Sequence, residues 1–195
     1  MKKIFCILLV LLLVLLPQVG LTNEELDPSE KLAISLVVTP FILQHQVFIH
    51  ESFHALTTLS QGTEVTNFAP YPHYMGDRFV LGSVSSNCLT CTDAQHISIL
   101  LSPFIANANM FATSDITLTH FVDINTVGGT IIFLGGMVAP YINTTAQFFS
   151  TKAQSDWPEM RRMSGDKEVA LNIIFGLLIA MGTIRILQHS FEWLK

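Results

Sequence analysis

The sequence His50-Glu51-Ser52-Phe53-His54 stands at the end of an apolar stretch that begins at Leu32 and ends at Ile49. Two histidines four residues apart lie on one face of a helix, so both imidazoles can bind a single zinc ion. The glutamate that follows the first histidine can act as a general base toward a zinc-activated water. A charged, metal-binding group is costly in a segment that can enter a membrane, which indicates that the group has a function.

The composition is typical of a membrane protein. Of the 195 residues, 50% are hydrophobic and 13% are charged, and the mean hydropathy is +0.48, which is high for a soluble domain. The net charge of −5 and the lack of a Lys/Arg cluster argue against a nucleic-acid partner. We therefore expect a single membrane-embedded domain over residues 23–195, with the lipid bilayer as its surroundings.

The first 22 residues are typical of a secretory signal peptide or an uncleaved signal anchor. Lys2 and Lys3 precede an apolar run from Ile4 to Leu16, which is the expected order of charge and hydrophobicity. Both alternatives place the segment that begins at Asn23 outside the cytoplasm.

Four further helices can be predicted, so the expected fold is a mainly α, multi-pass membrane bundle. Asp27-Pro28-Ser29-Glu30 is a strong helix start, with a capping Asp, a Pro at the first position and a Glu at the third. This helix is predicted to end near Ser60. The other three predicted helices are a helix that begins near Asp93 and covers Ile97–Ala112, a glycine-rich helix over Val127–Phe149, and a helix over Val169–Leu187.

A small β element is predicted between the first two of these helices. Thr63–Phe68 and Arg78–Val84 are short β-prone runs, and the turn-rich segment Tyr71–Asp77 separates them. The pattern predicts a hairpin.

The distribution of basic residues predicts an orientation. Counting inward from Asn23, three membrane crossings place Thr151–Lys167 in the cytoplasm, as the positive-inside rule favours. Its basic residues are Lys152, Arg161, Arg162 and Lys167. The same count places His50 and His54 in the cytoplasmic half of their helix. We expect a multi-pass integral membrane protein, in the plasma or inner membrane if the chain is bacterial, with its site toward the cytoplasm.

Taken together, His50-Glu51-x-x-His54-Ala55-Leu56, Gly62 and the hairpin resemble the site-2 protease family of intramembrane zinc metalloproteases. That family carries a Gly-Pro-x-x-Asn sequence on the next helix. Here Ser102-Pro103-Phe104-Ile105-Ala106-Asn107 stands in its place, with one additional residue before the asparagine. Phe53 replaces the family's glycine before the second histidine. In layout, the resemblance covers roughly residues 47–187.

The resemblance implies a membrane-embedded zinc metalloprotease. Zn²⁺ would be bound by His50, His54 and an aspartate on a later helix, and Asp166 in Ser164-Gly165-Asp166 is the best match to that ligand. Glu51 would be the general base in the hydrolysis of a membrane protein or peptide substrate. The other candidates for the third ligand are His73, His96 and Glu64.

A second interpretation is a catalytically inactive relative that serves as a membrane scaffold or binding protein. Phe53, the altered Pro/Asn spacing and the short chain favour it. Glu51 discriminates between the two interpretations, because Glu51→Gln should abolish the function of a protease and leave that of a scaffold unchanged.

The interpretation of the two cysteines in Cys88-Leu89-Thr90-Cys91 depends on the orientation of the chain in the membrane. In the predicted orientation it lies on the cytoplasmic side, where a structural disulfide is not expected. In the inverted orientation a small disulfide is the simplest interpretation.

Overall fold

The computed structural model describes residues 25–88, 91–152 and 155–195. The predicted leader, residues 1–22, lies outside the described residues. Helices dominate the described chain, and four helical segments are long and apolar enough to cross a membrane. The expectation of four such helices with a small β element between the first two is therefore confirmed.

The first long helix, α1 (Pro28–Ser60), begins and ends where the sequence predicts. The Asp27 carboxylate accepts hydrogen bonds from the backbone N–H groups of Ser29 at 2.7 Å and Glu30 at 2.9 Å. The Glu30 carboxylate in turn accepts the backbone N–H of Asp27 at 3.0 Å, which completes a capping box. The Ser29 side chain and the Glu30 backbone N–H also hold the pKa of Asp27 below its ordinary value.

The β element contains two small antiparallel sheets rather than the one simple hairpin that the sequence predicts. The outer sheet pairs β1 (Val65–Ala69) with β4 (Ser83–Ser86), and the inner sheet pairs β2 (His73–Met75) with β3 (Arg78–Val80). The segment predicted as a connector thus contributes a strand of its own. The tip of the inner hairpin is the turn at Gly76, whose φ of +60° lies in the left-handed region that favours glycine.

Two further helical segments return through the bundle. Helix α2 (Asp93–His120) begins with a capping box formed by Thr92 and Gln95. The next segment consists of α3 (Val127–Ile132), a π-helical stretch (Phe133–Val138) and α4 (Ala139–Phe148). Gly136 in the π-helical stretch faces Ser114 of α2 so closely that a methyl group would clash. Small residues allow this kind of close packing between helices in membranes.

The last part of the chain departs from the sequence prediction in one respect. The segment predicted as a cytoplasmic loop contains a helix, α5 (Asp156–Ser164), and a 3₁₀ turn (Gly165–Lys167) before α6 (Glu168–Trp193). Trp157 and Met160 of α5 have 0% exposure and pack in an apolar cluster with Leu100, Phe104 and Phe175. α5 is therefore held firmly between α2 and α6.

Apolar side chains cover the outside of the bundle, while several polar side chains lie inside it. Leu36 is 70% exposed on α1 and Met181 is 63% exposed on α6, whereas Lys31 is 2% exposed. A water-soluble bundle normally shows the reverse pattern. The arrangement is compatible with an integral membrane protein, as are the four long apolar helices.

Cys88 and Cys91 form a disulfide just before α2. This pairing differs from what we expect for a cytoplasmic position. The Cys91 sulfur also lies 3.5 Å from the hydroxyl of Thr63, which follows α1. The disulfide thus lies where the C-terminal end of α1 meets the N-terminal end of α2.

Candidate metal centre

A stripe of buried polar side chains runs along α1. Gln46, His50, His54 and Thr58 recur every four residues, so they share one helix face, and each is less than 9% exposed. This face packs against α2 and the later helices of the bundle. The two motif histidines therefore point into the protein, as their spacing predicts.

The two histidines converge on one carboxylate, that of Asp156. Its Oδ2 atom lies 2.9 Å from Nε2 of His50 and 3.1 Å from Nε2 of His54. The possible ligand atoms of the three residues all lie within 4.8 Å of one another. Two imidazoles and one carboxylate form a common ligand set for catalytic zinc, which leaves a further position for water or substrate.

The hydrogen bond at the far side of His54 strengthens the case for a cation. Nδ1 of His54 lies 2.9 Å from the carbonyl oxygen of Ile99, which can only accept, so Nδ1 carries the hydrogen. The neutral ring then presents a lone pair at Nε2 toward Asp156 Oδ2, which is also an acceptor. Two facing acceptors at this distance need a proton or a metal ion between them, so the residues fit a bound metal.

Asp156, rather than the predicted Asp166, accompanies the histidines. Asp166 is exposed in the 3₁₀ turn Gly165–Lys167. The two aspartates lie at opposite ends of helix α5, whose nine residues extend about 14 Å at 1.5 Å per residue. Because Asp156 begins α5 and Asp166 follows its end, only the former reaches α1.

The other candidates for the third ligand also lie outside the cluster. His73 is held within the β element, with Nδ1 donating to the carbonyl of Tyr71 at 2.7 Å and Nε2 lying 3.0 Å from the Ser83 hydroxyl. His96 lies beside Glu159, with 3.6 Å between Nε2 and Oε1. Glu64 is exposed.

Glu51 lies beneath the β element, at the edge of the cluster. A Cβ atom on Gly82 would lie 2.8 Å from Glu51 Cγ and 2.6 Å from Val47 Cγ1, so the backbone just before β4 packs directly on this part of α1. Glu51 is half-buried and lies within electrostatic range of His50, His54 and Asp156. The position suits a proton carrier beside the metal.

Asn107, which the sequence comparison with the site-2 protease pattern singles out, belongs to a hydrogen-bond chain next to the cluster. Its Oδ1 accepts from Gln46 Nε2 at 2.6 Å, and its Nδ2 donates to the hydroxyl of Thr144 at 3.1 Å. Gln46 Oε1 is buried and has no hydrogen-bond partner among the described residues. Gln46 lies one helical turn before His50 on the buried face of α1, next to the candidate metal centre.

Asp156 and Trp157 are the site residues that sequence reasoning missed. The available signal was the sequence Asp156-Trp157-Pro158, which carries an acidic residue, a large apolar anchor and a proline, as at a helix start.

The chain matches no protein-family model, and neither a curated protein nor a solved structure matches it.

Proposed function

We propose that this chain is a membrane-embedded zinc metalloprotease that hydrolyses peptide bonds of membrane-associated proteins. The observation that carries the proposal is the convergence of His50, His54 and Asp156 next to Glu51. The site-2 protease resemblance of the histidine motif supports the same reaction class. The four helices of membrane-spanning length support a substrate in or near the bilayer.

In this proposal each residue has a distinct role. His50, His54 and Asp156 would hold the zinc ion, which would supply Lewis acidity toward the scissile carbonyl and the attacking water. Glu51 takes a proton from that water and then delivers it to the nitrogen of the leaving amine. The surrounding apolar helices limit the entry of further water.

The β element is the proposed binding surface for the substrate backbone. A helical substrate must unwind locally, because its carbonyl groups are already hydrogen-bonded. Within the described part of the chain β1 and β4 pair only with each other, so each has a second edge that can pair with an extended peptide. Gly82, directly before β4, lies on Glu51, which brings that edge close to the proposed base.

Two features at the end of the bundle that holds His54 give conflicting indications of the side of the membrane on which this end lies. The basic segment from Lys152 to Lys167 favours the cytoplasmic side. The disulfide between Cys88 and Cys91 favours an oxidising compartment, since such bonds are rare in the cytosol. Both features lie at the end of the bundle that holds His54.

A scaffold without catalysis is the second candidate function. Two residues favour it, because Phe53 and Ser102 stand where the site-2 protease pattern has glycine. The Ser102 hydroxyl is within 3.1 Å of the Phe53 carbonyl, which joins α1 and α2 directly.

Mapping of protein N-termini in membranes distinguishes the two functions. Membranes from cells that express the wild type should contain new N-termini that are absent with Glu51→Gln, although both purified proteins should carry equal zinc. A Glu51→Asp variant tests whether the position of the carboxylate matters. Identical N-termini with wild type and Glu51→Gln, with zinc bound in both, would overturn the protease and favour the scaffold.

A further inference from the structure

We propose that Asn143 of α4 is a positioning residue that sets the orientation and tautomer of His50 for metal binding. The inference rests on the zinc-binding part of the proposed function and is independent of proteolysis. It assigns to Asn143 a role that neither the motif nor the site-2 protease resemblance implies.

The geometry separates the two nitrogens of each histidine. Nε2 of both rings points toward Asp156, so both Nδ1 atoms point away from the cluster. Nδ1 of His54 meets the carbonyl oxygen of Ile99, and Nδ1 of His50 lies 3.3 Å from Nδ2 of Asn143. Asn143 thus contacts Nδ1 of His50 in the same way that the Ile99 carbonyl contacts Nδ1 of His54.

The two partners differ in what they can do. A backbone carbonyl only accepts, which fixes the hydrogen of His54 on Nδ1. The Asn143 amide can either donate or accept, depending on its rotation. When Nδ2 of Asn143 faces the ring, it donates to Nδ1 of His50, and the Nε2–H of His50 can donate to Asp156. This arrangement suits the protein without a bound metal.

Metal binding requires the opposite tautomer of His50. Nε2 must then be unprotonated, so Nδ1 carries the hydrogen and needs an acceptor. A half-turn of the Asn143 amide presents Oδ1 to Nδ1–H and supplies that acceptor. The amide therefore stabilises His50 in both states, and its rotation accompanies metal binding.

Substitutions of Asn143 separate this role from ordinary helix packing. Asn143→Leu keeps the approximate size and removes both the donor and the acceptor. Asn143→Asp keeps an acceptor at the same place. Asn109→Leu is the matched control, because Asn109 is an exposed asparagine on α2, and no side-chain hydrogen bond of it is found among the described residues.

The experiment measures the zinc dissociation constant of detergent-purified protein by competition with a chromogenic chelator, and the thermal stability of the metal-free protein. Asn143→Leu should weaken zinc binding by about 10- to 100-fold, the usual effect of losing such a partner. Asn143→Asp should bind zinc at least as tightly as the wild type, and Asn109→Leu should bind it equally well.

Three results would overturn the inference. Zinc affinity within twofold of wild type for Asn143→Leu would leave Asn143 as a packing contact, even if its thermal stability fell. Equal weakening in Asn143→Asp and Asn143→Leu would show that the acceptor is not what matters. A folded wild type that binds no zinc would overturn both this inference and the proposed function, whereas the first two results would leave the function intact.

Discussion

Asp156 Oδ2 lies 3.1 Å from Nε2 of His54, although 102 residues separate the two in sequence. The contact joins the first long helix to a short helix that follows the third membrane-length segment. Because Nδ1 of His54 donates to the Ile99 carbonyl, this contact needs either a proton on Nε2 or a metal ion between the two atoms. The candidate metal centre is thus a product of the tertiary fold and not of the histidine motif alone.

Replacement of Trp157 should weaken the metal centre without touching a ligand. Trp157 is fully buried, and its ring packs on Phe104 and Phe175, so it fixes the helix that begins with Asp156. We expect Trp157→Ala to destabilise the fold by about 3–5 kcal/mol, as is usual for the truncation of a buried tryptophan. Zinc affinity should fall as well, and chelator competition measures it.

The control for this change is Phe121→Ala, at a side chain that is 80% exposed. It should leave both stability and zinc affinity nearly unchanged. If Trp157→Ala unfolded at a lower temperature but bound zinc as tightly as wild type, Asp156 would not depend on this anchor.

Addition of one methyl group at Gly82 should impair peptide-bond cleavage and leave the zinc content of the protein unchanged. An alanine Cβ would lie 2.6 Å from Val47 Cγ1 and 2.8 Å from Glu51 Cγ, so either the β element or the Glu51 side chain must move. Gly82→Ala should therefore lose the new N-termini seen with wild type and keep its zinc content. Gly176→Ala is the control, since no side chain or neighbouring segment of the described chain lies within 4 Å of its added Cβ. Full cleavage by Gly82→Ala would show that this contact is dispensable.

The ion pair between Asp115 and Arg185 should stabilise the end of the bundle opposite the candidate metal centre. Its shortest distance is 2.7 Å, and the Asp115 carboxylate also meets Nε2 of His189 at 2.8 Å. Asp115→Leu and Arg185→Leu should each lower stability because each removes the opposite charge that the remaining residue contacts between the helices. The double variant should lose less than the sum, with a coupling of about 0.5–3 kcal/mol.

Unfolding by SDS titration in mixed micelles measures this double-mutant cycle. His189 remains unchanged in all variants, so its contact with Asp115 is the same wherever that aspartate is present. Strictly additive losses would mean that the ion pair contributes nothing beyond its separate side chains.

The disulfide makes a prediction about thiol chemistry. In a Cys6→Ser background, Cys88 and Cys91 should not react with a maleimide until the membranes are treated with a reductant. The measurement is a mass shift on gels after alkylation of intact cells. Free thiols in freshly trapped cells would contradict the disulfide and support the cytoplasmic side that the basic segment favours.

The four membrane-length helices could be predicted from sequence because their signals are local. The capping residues around Asp27 determine where α1 begins, and the long apolar runs locate the other three, although α2 continues to His120, beyond its apolar run. The paired histidines also follow from helix periodicity alone. The position of the β element between α1 and α2 is also predicted correctly, but β2 lies in the segment predicted as a connector, and the predicted run Arg78–Val84 is divided between β3 and β4.

The third ligand could not be predicted in the same way. The choice between Asp156 and Asp166 depends on whether residues 156–164 fold as a helix and on where Trp157 packs. Both aspartates are acceptable near a helix start, so local preference does not separate them. The contact with Asn143 is likewise set by the approach of α4 to α1, and no spacing within the sequence encodes it.

The most direct test is the zinc content of the detergent-purified protein by elemental analysis, for wild type, His54→Ala, Asp156→Ala and Asp166→Ala. We expect about one zinc per chain in wild type and Asp166→Ala, and loss of zinc in His54→Ala and Asp156→Ala. Zinc retained by a folded Asp156→Ala protein and lost from Asp166→Ala would contradict the metal centre described above.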